Sequence, residues 1–236
     1  MIHGDDKGLV LPPRVAQHQV MIIPVGINAK TTKEEKEKHY DQLEDLKKTL
    51  KKAGIRAEYD ISDKTPGWKF ADHELKGIPL RLEYGPKDAA KQEVAFARRD
   101  TGEKGSIAIA NLAQDVSKLL ETIQNDMYTK AEASFRSHRK IIFNWDEVVP
   151  ALDDKNVVLI PHCLAEKCED KIKESTKGRD DGADKGPDDK KAPSMGMKSL
   201  CIPFEQPEGI EAGVTKCLNP ECDSKAEKFC MFGRSY

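Results

Sequence analysis

No segment of this 236-residue chain stays apolar over the roughly 20 residues that a membrane span takes. The first residues also lack an apolar leader core and an Arg-rich transit pattern, so the sequence reads as cytoplasmic. An excess of charge of one sign is missing too: 39 Lys and Arg stand against 41 Asp and Glu, a net of −2. That excludes a whole-surface electrostatic grip on nucleic acid and leaves RNA binding to local patches; neither DNA nor a membrane is an expected partner. With 38% hydrophobic and 34% charged residues, the chain has material for one or two compact domains, two of modest size being the better fit. Six cysteines without a secretion signal point to a metal or free thiols before disulfides.

The most informative stretch runs from Gly67 to Asp88. Pro66-Gly67 reads as a turn, followed by a short helical run, a second turn at Gly77, a strand, and Gly85-Pro86 leading into Lys87 and Asp88. In Pro79–Tyr84 the period of two sends Leu80, Leu82 and Tyr84 one way and Arg81 and Glu83 the other. Trp68 and Phe70 supply flat surfaces nearby. Charged groups at the end of a sheet beside an aromatic ring are what reading unstacked RNA bases takes, namely stacking plus hydrogen bonds to base edges. A solvated sheet face with a structural Phe accounts for the same residues equally well.

Elsewhere the pattern is that of an α/β layer structure. Val20–Val25 is an apolar run suited to a buried strand, and Ile55–Ile61 reads as the next strand. Between them Thr32 with Glu35 forms a capping-box pattern, and Tyr40, Leu43, Leu46 and Leu50 make one stripe up to Gly54. Glu93–Arg99 alternates as a strand, Thr101–Gly105 reads as a hairpin turn, and Ser106–Ala110 pairs back. Leu112, Val116, Leu119, Leu120, Ile123 and Met127 then recur at helical spacing. Beyond about Lys140, short apolar runs suggest a small α+β module. Within it residues 176–192, rich in Lys, Asp and Gly, read as a flexible loop.

Cys163 and Cys168 form one C-x4-C pair, and Cys217 and Cys222 a second. Four thiolates in two close pairs suit a tetrahedral Zn²⁺ that closes a module with little core of its own. Cys201, in the run Leu200–Phe204, and Cys230 near the tail read as buried packing thiols, with Cys230 the substitute ligand should Cys217 not reach the metal. The segment His3–Gly8 lacks the spacing of a phosphate-cradling loop, and a plain turn accounts for it.

The run Pro66–Asp88 resembles the anticodon-binding domain of class II prolyl-tRNA synthetases of the eukaryote-like and archaeal-like type. His3–Ala16 is similar to the segment that leaves that family's catalytic domain after its third class-defining motif, and Phe232–Tyr236 resembles its terminal tail. The resemblance implies an α/β anticodon-binding domain with a mixed sheet flanked by helices over 18–125. Residues 1–17 would be the end of the catalytic domain and a linker, and 126–236 a C-terminal zinc-binding module. It implies that Phe70 stacks on an anticodon base, and that Glu74, Arg81, Lys87 and Asp88 hydrogen-bond the two guanines of a proline anticodon. Arg98 and Arg99 are candidates for phosphate contacts. It implies a structural zinc on Cys163, Cys168, Cys217 and Cys222, although relatives can have the second pair closer together. His3 matches a position lining the prolyl-adenylate pocket, and the tail's Tyr236 one that folds back toward the catalytic domain.

The motifs that bind ATP and proline lie upstream of the matching region. The expected function is therefore the tRNA-selecting part of a proline–tRNA ligase, inactive in isolation. ATP and Mg²⁺ would be needed only in the full-length enzyme, and a homodimer is expected only with the catalytic domain present. A free-standing tRNA-binding protein derived from a synthetase is the rival reading. A redox protein using the cysteine pairs ranks last, because nothing in the sequence supplies a thiolate-favouring environment.

Overall fold

The computed structural model describes residues 2–27, 31–177 and 196–234. The chain divides into two units, Met1–Glu132 and Ala133–Tyr236.

From the first unit onward the elements follow as β1 (Val20–Pro24), α1 (Lys33–Lys52), β2 (Ala57–Tyr59), α2 (Pro66–Leu75), β3 (Leu80–Tyr84), α3 (Pro86–Lys91), β4 (Glu93–Arg98), β5 (Lys104–Ala108) and α4 (Leu112–Ser137), the last of which runs on past Glu132. The five strands form a mixed sheet in the order β2-β1-β3-β4-β5. Strands β2, β1 and β3 run parallel, while β3, β4 and β5 alternate in direction. The wholly buried β1 lies between β2 and β3, as its unbroken apolar sequence requires of a strand covered on both faces.

Helix α1 starts where the capping box places it: the Thr32 hydroxyl accepts from Glu35 N and the Glu35 carboxylate from Thr32 N. Its buried stripe is His39, Leu43, Leu46 and Leu50. His39 is an addition to the expected set; its ring stacks on Tyr84 at 5.3 Å, and Nε2 lies 3.1 Å from the Tyr84 carbonyl. In α4 the buried residues are Leu112, Val116, Leu120, Ile123 and Met127, one face of a helix at regular spacing. The expected turn at Pro66-Gly67 is instead the first turn of α2. Thr65 caps it by accepting from Trp68 N, and Pro66, with its φ preset and no N–H to satisfy, sits at the helix start.

The second unit contains β6 (Arg139–Ile141), α5 (Val148–Asp153), β7 (Val157–His162), α6 (Glu166–Ser175), β8 (Lys198–Cys201) and β9 (Lys228–Gly233). Its sheet has the order β6-β7-β9-β8, with β6 and β7 parallel and β9 antiparallel to both neighbours. The core gathers Val148, Leu152, Val158, Ile160, Ile172 and Phe232 around three cysteines of the two pairs.

Two expectations for this unit change. Cys201 is exposed, not buried: β8 is an edge strand with a register shift between Ser199 and Cys201, and Leu200 and Ile202 around it are also exposed. Thr176, taken as the start of a flexible loop, is buried. It donates to Ile172 O at 2.7 Å and accepts from Met197 N at 2.9 Å, tying the end of α6 to the start of the β8 segment. Residues 178–192 of that loop lie outside the described residues, as does Tyr236. Cys230 is buried in β9 as expected, and burial pushes its thiol up to about 11, as suits an unreactive packing group.

Candidate nucleic-acid interface and metal centre

Helix α2 and strand β3 bring Phe70, Glu74 and Arg81 together. The Arg81 guanidinium lies over the Phe70 ring, 4.0 Å from its centroid. Its Nη1 is 3.6 Å from a Glu74 carboxylate oxygen, an ion pair just beyond hydrogen-bond length. Its Nε donates to Glu83 at 3.0 Å. Glu83 is the member that the sequence reading left out of the site, although strand alternation had already put it on the face of Arg81. The Arg81 side chain is 11% exposed, Glu83 25% and Glu74 40%, so the cluster grades from a fixed base to an accessible rim.

Lys87 and Asp88 follow at the start of α3. Lys87 is exposed. Asp88 is partly committed: its Oδ2 accepts from Gly85 N at 2.9 Å, fixing the turn from β3 into the helix. Gly85 is needed there because a Cβ would come within 2.6 Å of the Val25 carbonyl oxygen.

The buried face of α2 is polar. Lys69 donates to the Asp60 carbonyl at 2.8 Å, and His73 Nε2 lies 2.9 Å from Asp60 Oδ2. Burial works against ionising Asp60, but the bonds from Ser62, His73 and the charge of Lys69 outweigh it and hold the carboxyl at about 2. One residue just after β2, through its carbonyl to Lys69 and its carboxylate to His73, thus fixes the rotation of the helix that carries Phe70 and Glu74.

Arg98 and Arg99 face inward rather than outward. Arg98 bonds Asp100 through Nε and Nη2, with Glu103 and Asp126 completing its partners. Arg99 gives its paired terminal nitrogens to Asp5 and its Nε to the Glu74 carbonyl. Each side chain is 5% exposed, and the carboxylates, Asp100 first for Arg98 and Asp5 for Arg99, hold them more firmly charged than usual. As phosphate contacts they are therefore poorly presented, since their donors are already used inside the protein. His3 is half-buried in the N-terminal segment, ahead of the turn that Asp5 and Gly8 close.

In the second unit Cys163 directly follows β7, Cys168 lies in the first turn of α6, and Cys217 and Cys222 sit on the segment before β9. The Sγ atoms of Cys163 and Cys222 are 3.7 Å apart, and so are those of Cys168 and Cys217. Each close contact therefore joins one member of the first pair to one of the second. A disulfide would need about 2.05 Å, whereas ligands on a tetrahedral ion at about 2.3 Å stand about 3.8 Å apart. The donor set fits such an ion.

His162 also belongs to the cluster, its ring and the sulfurs of Cys163, Cys168 and Cys217 offering ligand atoms within 4.8 Å of one another. Its Nδ1, however, accepts from Leu164 N at 3.1 Å, and burial pushes its pKa down. With Nδ1 occupied, Nε2, buried and without a hydrogen-bond partner among the described residues, is the ring atom left to a ligand or a proton. One further group stands beside the sulfurs: Asn219, 2% exposed, donates its amide to Cys168 Sγ at 3.2 Å while its oxygen accepts from Glu221 N. Burial pushes the Cys217 thiol up to about 11 and Cys168 higher, while Cys222, against a burial penalty, is brought to about 7 by Ser224. A group of buried sulfurs ionises together only when a cation compensates them.

The described residues contain no helix long and apolar enough to cross a membrane. Residues 19–119 match the model of the anticodon binding domain, and residues 145–236 that of the prolyl-tRNA synthetase C-terminal domain. Over its whole length the chain is 48% identical to a putative proline–tRNA ligase of Saccharomyces cerevisiae, of which it covers 34%. It is 45% identical to the bifunctional glutamate/proline–tRNA ligase of Drosophila melanogaster, covering 13% of it, and 40% identical to the cytoplasmic proline–tRNA ligase of Arabidopsis thaliana, covering 41%. The chain thus spans less than half the length of each of these relatives.

Proposed function

The chain belongs to the prolyl-tRNA synthetase family, contributing its anticodon-binding and C-terminal domains, and from that premise we propose that it selects proline tRNA for a cytoplasmic proline–tRNA ligase. Phe70 offers the stacking surface, Arg81 and Lys87 donate to guanine O6 and N7, and Glu74 and Asp88 accept from guanine N1–H and the 2-amino group. Glu83 holds Arg81 in place. The observation that carries this reading is the Arg81 guanidinium seated on Phe70 between two carboxylates, a donor fixed in direction before any base arrives. Such fixing lowers the ordering cost of binding.

The C-terminal module is proposed to hold a structural Zn²⁺ on Cys163, Cys168, Cys217 and Cys222, which would cross-link β7, α6 and the segment before β9. ATP, Mg²⁺ and proline activation are assigned to the remainder of a longer protein, and the present chain alone is expected to give no proline-dependent ATP–pyrophosphate exchange. Replacing Arg81 by Ala is expected to cost on the order of 1–3 kcal/mol in cognate tRNA binding and to relax base preference. An equal loss for every tRNA would contradict base reading.

A further inference from the structure

The carbonyls at the end of a helix lack intrahelical donors, and at an exposed end water takes them. At the end of α2 other parts of the chain do so. The Glu74 carbonyl, which takes Gly77 N at 3.0 Å, accepts also from Arg99 Nε at 2.9 Å; Leu75 O accepts from Leu9 N at 3.0 Å, and just past the helix Gly77 O accepts from Leu11 N at 3.1 Å. Arg99 in turn places Nη1 and Nη2 on the two oxygens of Asp5 at 2.7 and 2.6 Å. Asp5 stands in a turn closed by reciprocal backbone bonds with Gly8.

The seam between this N-terminal segment and α2 is tight on both sides. A Cβ on Gly8 would approach the Leu75 backbone to 2.7 Å, and one on Gly77 the Leu9 backbone to 2.7 Å. Both glycines also have positive φ, at +130° and +73°. The segment therefore has a single seat, which fixes Arg99 against the carbonyl of the residue whose carboxylate faces Arg81.

We propose that Asp5 and Arg99 form a clamp that positions Glu74 for base recognition, so that the segment 5–11 and the base-reading face respond to one another. The proposal rests on the reading of Glu74 and Arg81 as base contacts. Arg81 is shared between Glu74 and Glu83, so a shift of the Glu74 backbone changes the balance between the two carboxylates and the direction in which Arg81 donates. By linkage, if the closed clamp favours the cognate base, the cognate base closes the clamp by the same factor. Anticodon occupancy would thereby be felt in the segment that precedes the domain.

The test uses the 236-residue chain with Asp5→Asn, Glu74→Gln and both together. Asp5 is 47% exposed but is the counter-charge of the 5%-exposed Arg99; its amide keeps one acceptor for that guanidinium, and a ratio of two affinities cancels any loss of folded protein. Affinities are measured for a proline tRNA transcript and for one with an anticodon guanine replaced by adenine, together with amide exchange at Leu9 and Leu11. The clamp requires that Asp5→Asn lower the discrimination ratio about three- to tenfold, in the lower part of the range of coupling within one network. It also requires that the double variant be no worse than Glu74→Gln alone, and that cognate tRNA slow exchange at Leu9 and Leu11. A normal ratio in Asp5→Asn beside a lowered one in Glu74→Gln overturns the clamp alone, as do additive effects in the double variant. A normal ratio in Glu74→Gln overturns the clamp together with the base-contact reading beneath it.

Discussion

Stripping metal from the proposed four-cysteine centre is the perturbation with the largest expected effect, and its size follows from what the sulfurs tie together. Between Cys201 and Lys228 the described residues form no helix or regular strand. That segment is held to β7 by a few backbone bonds, such as Leu218 N to Pro161 O at 2.9 Å and Glu227 N to His162 O at 2.9 Å, while Cys222 reaches Cys163 after β7 and Cys217 reaches Cys168 in α6. A structural zinc contributes apparent folding free energies of about 10–16 kcal/mol in small modules. Whole domains are stable by only about 5–15 kcal/mol. Since about 1 kcal/mol moves the melting of a domain of this size by roughly 4–8 °C, even a fraction of the metal's contribution amounts to tens of degrees. The first unit has a separate core around Val20, Ile22, Leu43, Leu82 and Ile123 and no part in the centre. Calorimetry before and after chelation, with metal content determined on the same samples, should show the second unit's transition collapse, return on adding Zn²⁺, and leave the first unit's transition in place. Stoichiometrically metal-free protein with both transitions unchanged would refute the structural role.

Replacing Asn219 by Ala removes the amide that supports the Cys168 sulfur, and chelator competition should register a metal affinity about 10–100-fold lower, the usual cost of losing an outer-shell partner; an unchanged affinity would show that the bond is incidental. Asp60 titrates at about 2 in the folded protein against an ordinary 3.8, so its contribution is complete above pH 4 and disappears as the pH falls from there through 2. Denaturant titrations of Asp60→Asn and the parent chain should accordingly differ by ~1 kcal/mol at pH 6, after allowance for partial solvent screening, and converge near pH 2; a constant gap across that window would assign the difference to something other than the charge. Gly77→Ala should cost about 2 kcal/mol or more, because the strained φ is joined by a collision with Leu9. Gly54→Ala, with a φ of +79° but no atom within 4 Å, should cost about 1 kcal/mol. Equal losses in the two variants would show that the Leu9 seam is soft.

The parts of the fold that were legible in the sequence are those in which cause and effect lie close together along the chain. The capping box at Thr32, the alternation in β3 and the stripe of α4 depend on spacings of two to four residues, and all three stand in the structure. The two cysteine pairs were also readable, because each is local, although only folding brings Cys163 to Cys222 and Cys168 to Cys217. What escaped depends on long-range partners. Arg99 looked like a surface cation because its counter-ion, Asp5, is 94 positions away. Lys69 and His73 gave no sign that they bury against Asp60. Cys201 misled because an apolar run was taken as core, whereas an edge strand with a register shift turns such a run outward. Asn219 lies between two cysteines, and nothing in that pattern distinguishes a spacer from a sulfur's hydrogen-bond donor.

The central claim is that the cluster of Phe70, Glu74, Arg81, Lys87 and Asp88 reads guanine in the anticodon of proline tRNA. Its most direct test is the affinity of the chain for proline tRNA transcripts in which each anticodon guanine is replaced singly by inosine, which removes only the 2-amino group. Loss of one donor to a carboxylate should weaken binding by about 1–3 kcal/mol at a guanine whose amino group is read, with no change for inosine placed outside the anticodon. Equal binding of the inosine-substituted and parent transcripts would contradict reading of the amino group by Glu74 and Asp88, and equal binding of a transcript with both guanines replaced by adenine would contradict the claim as a whole.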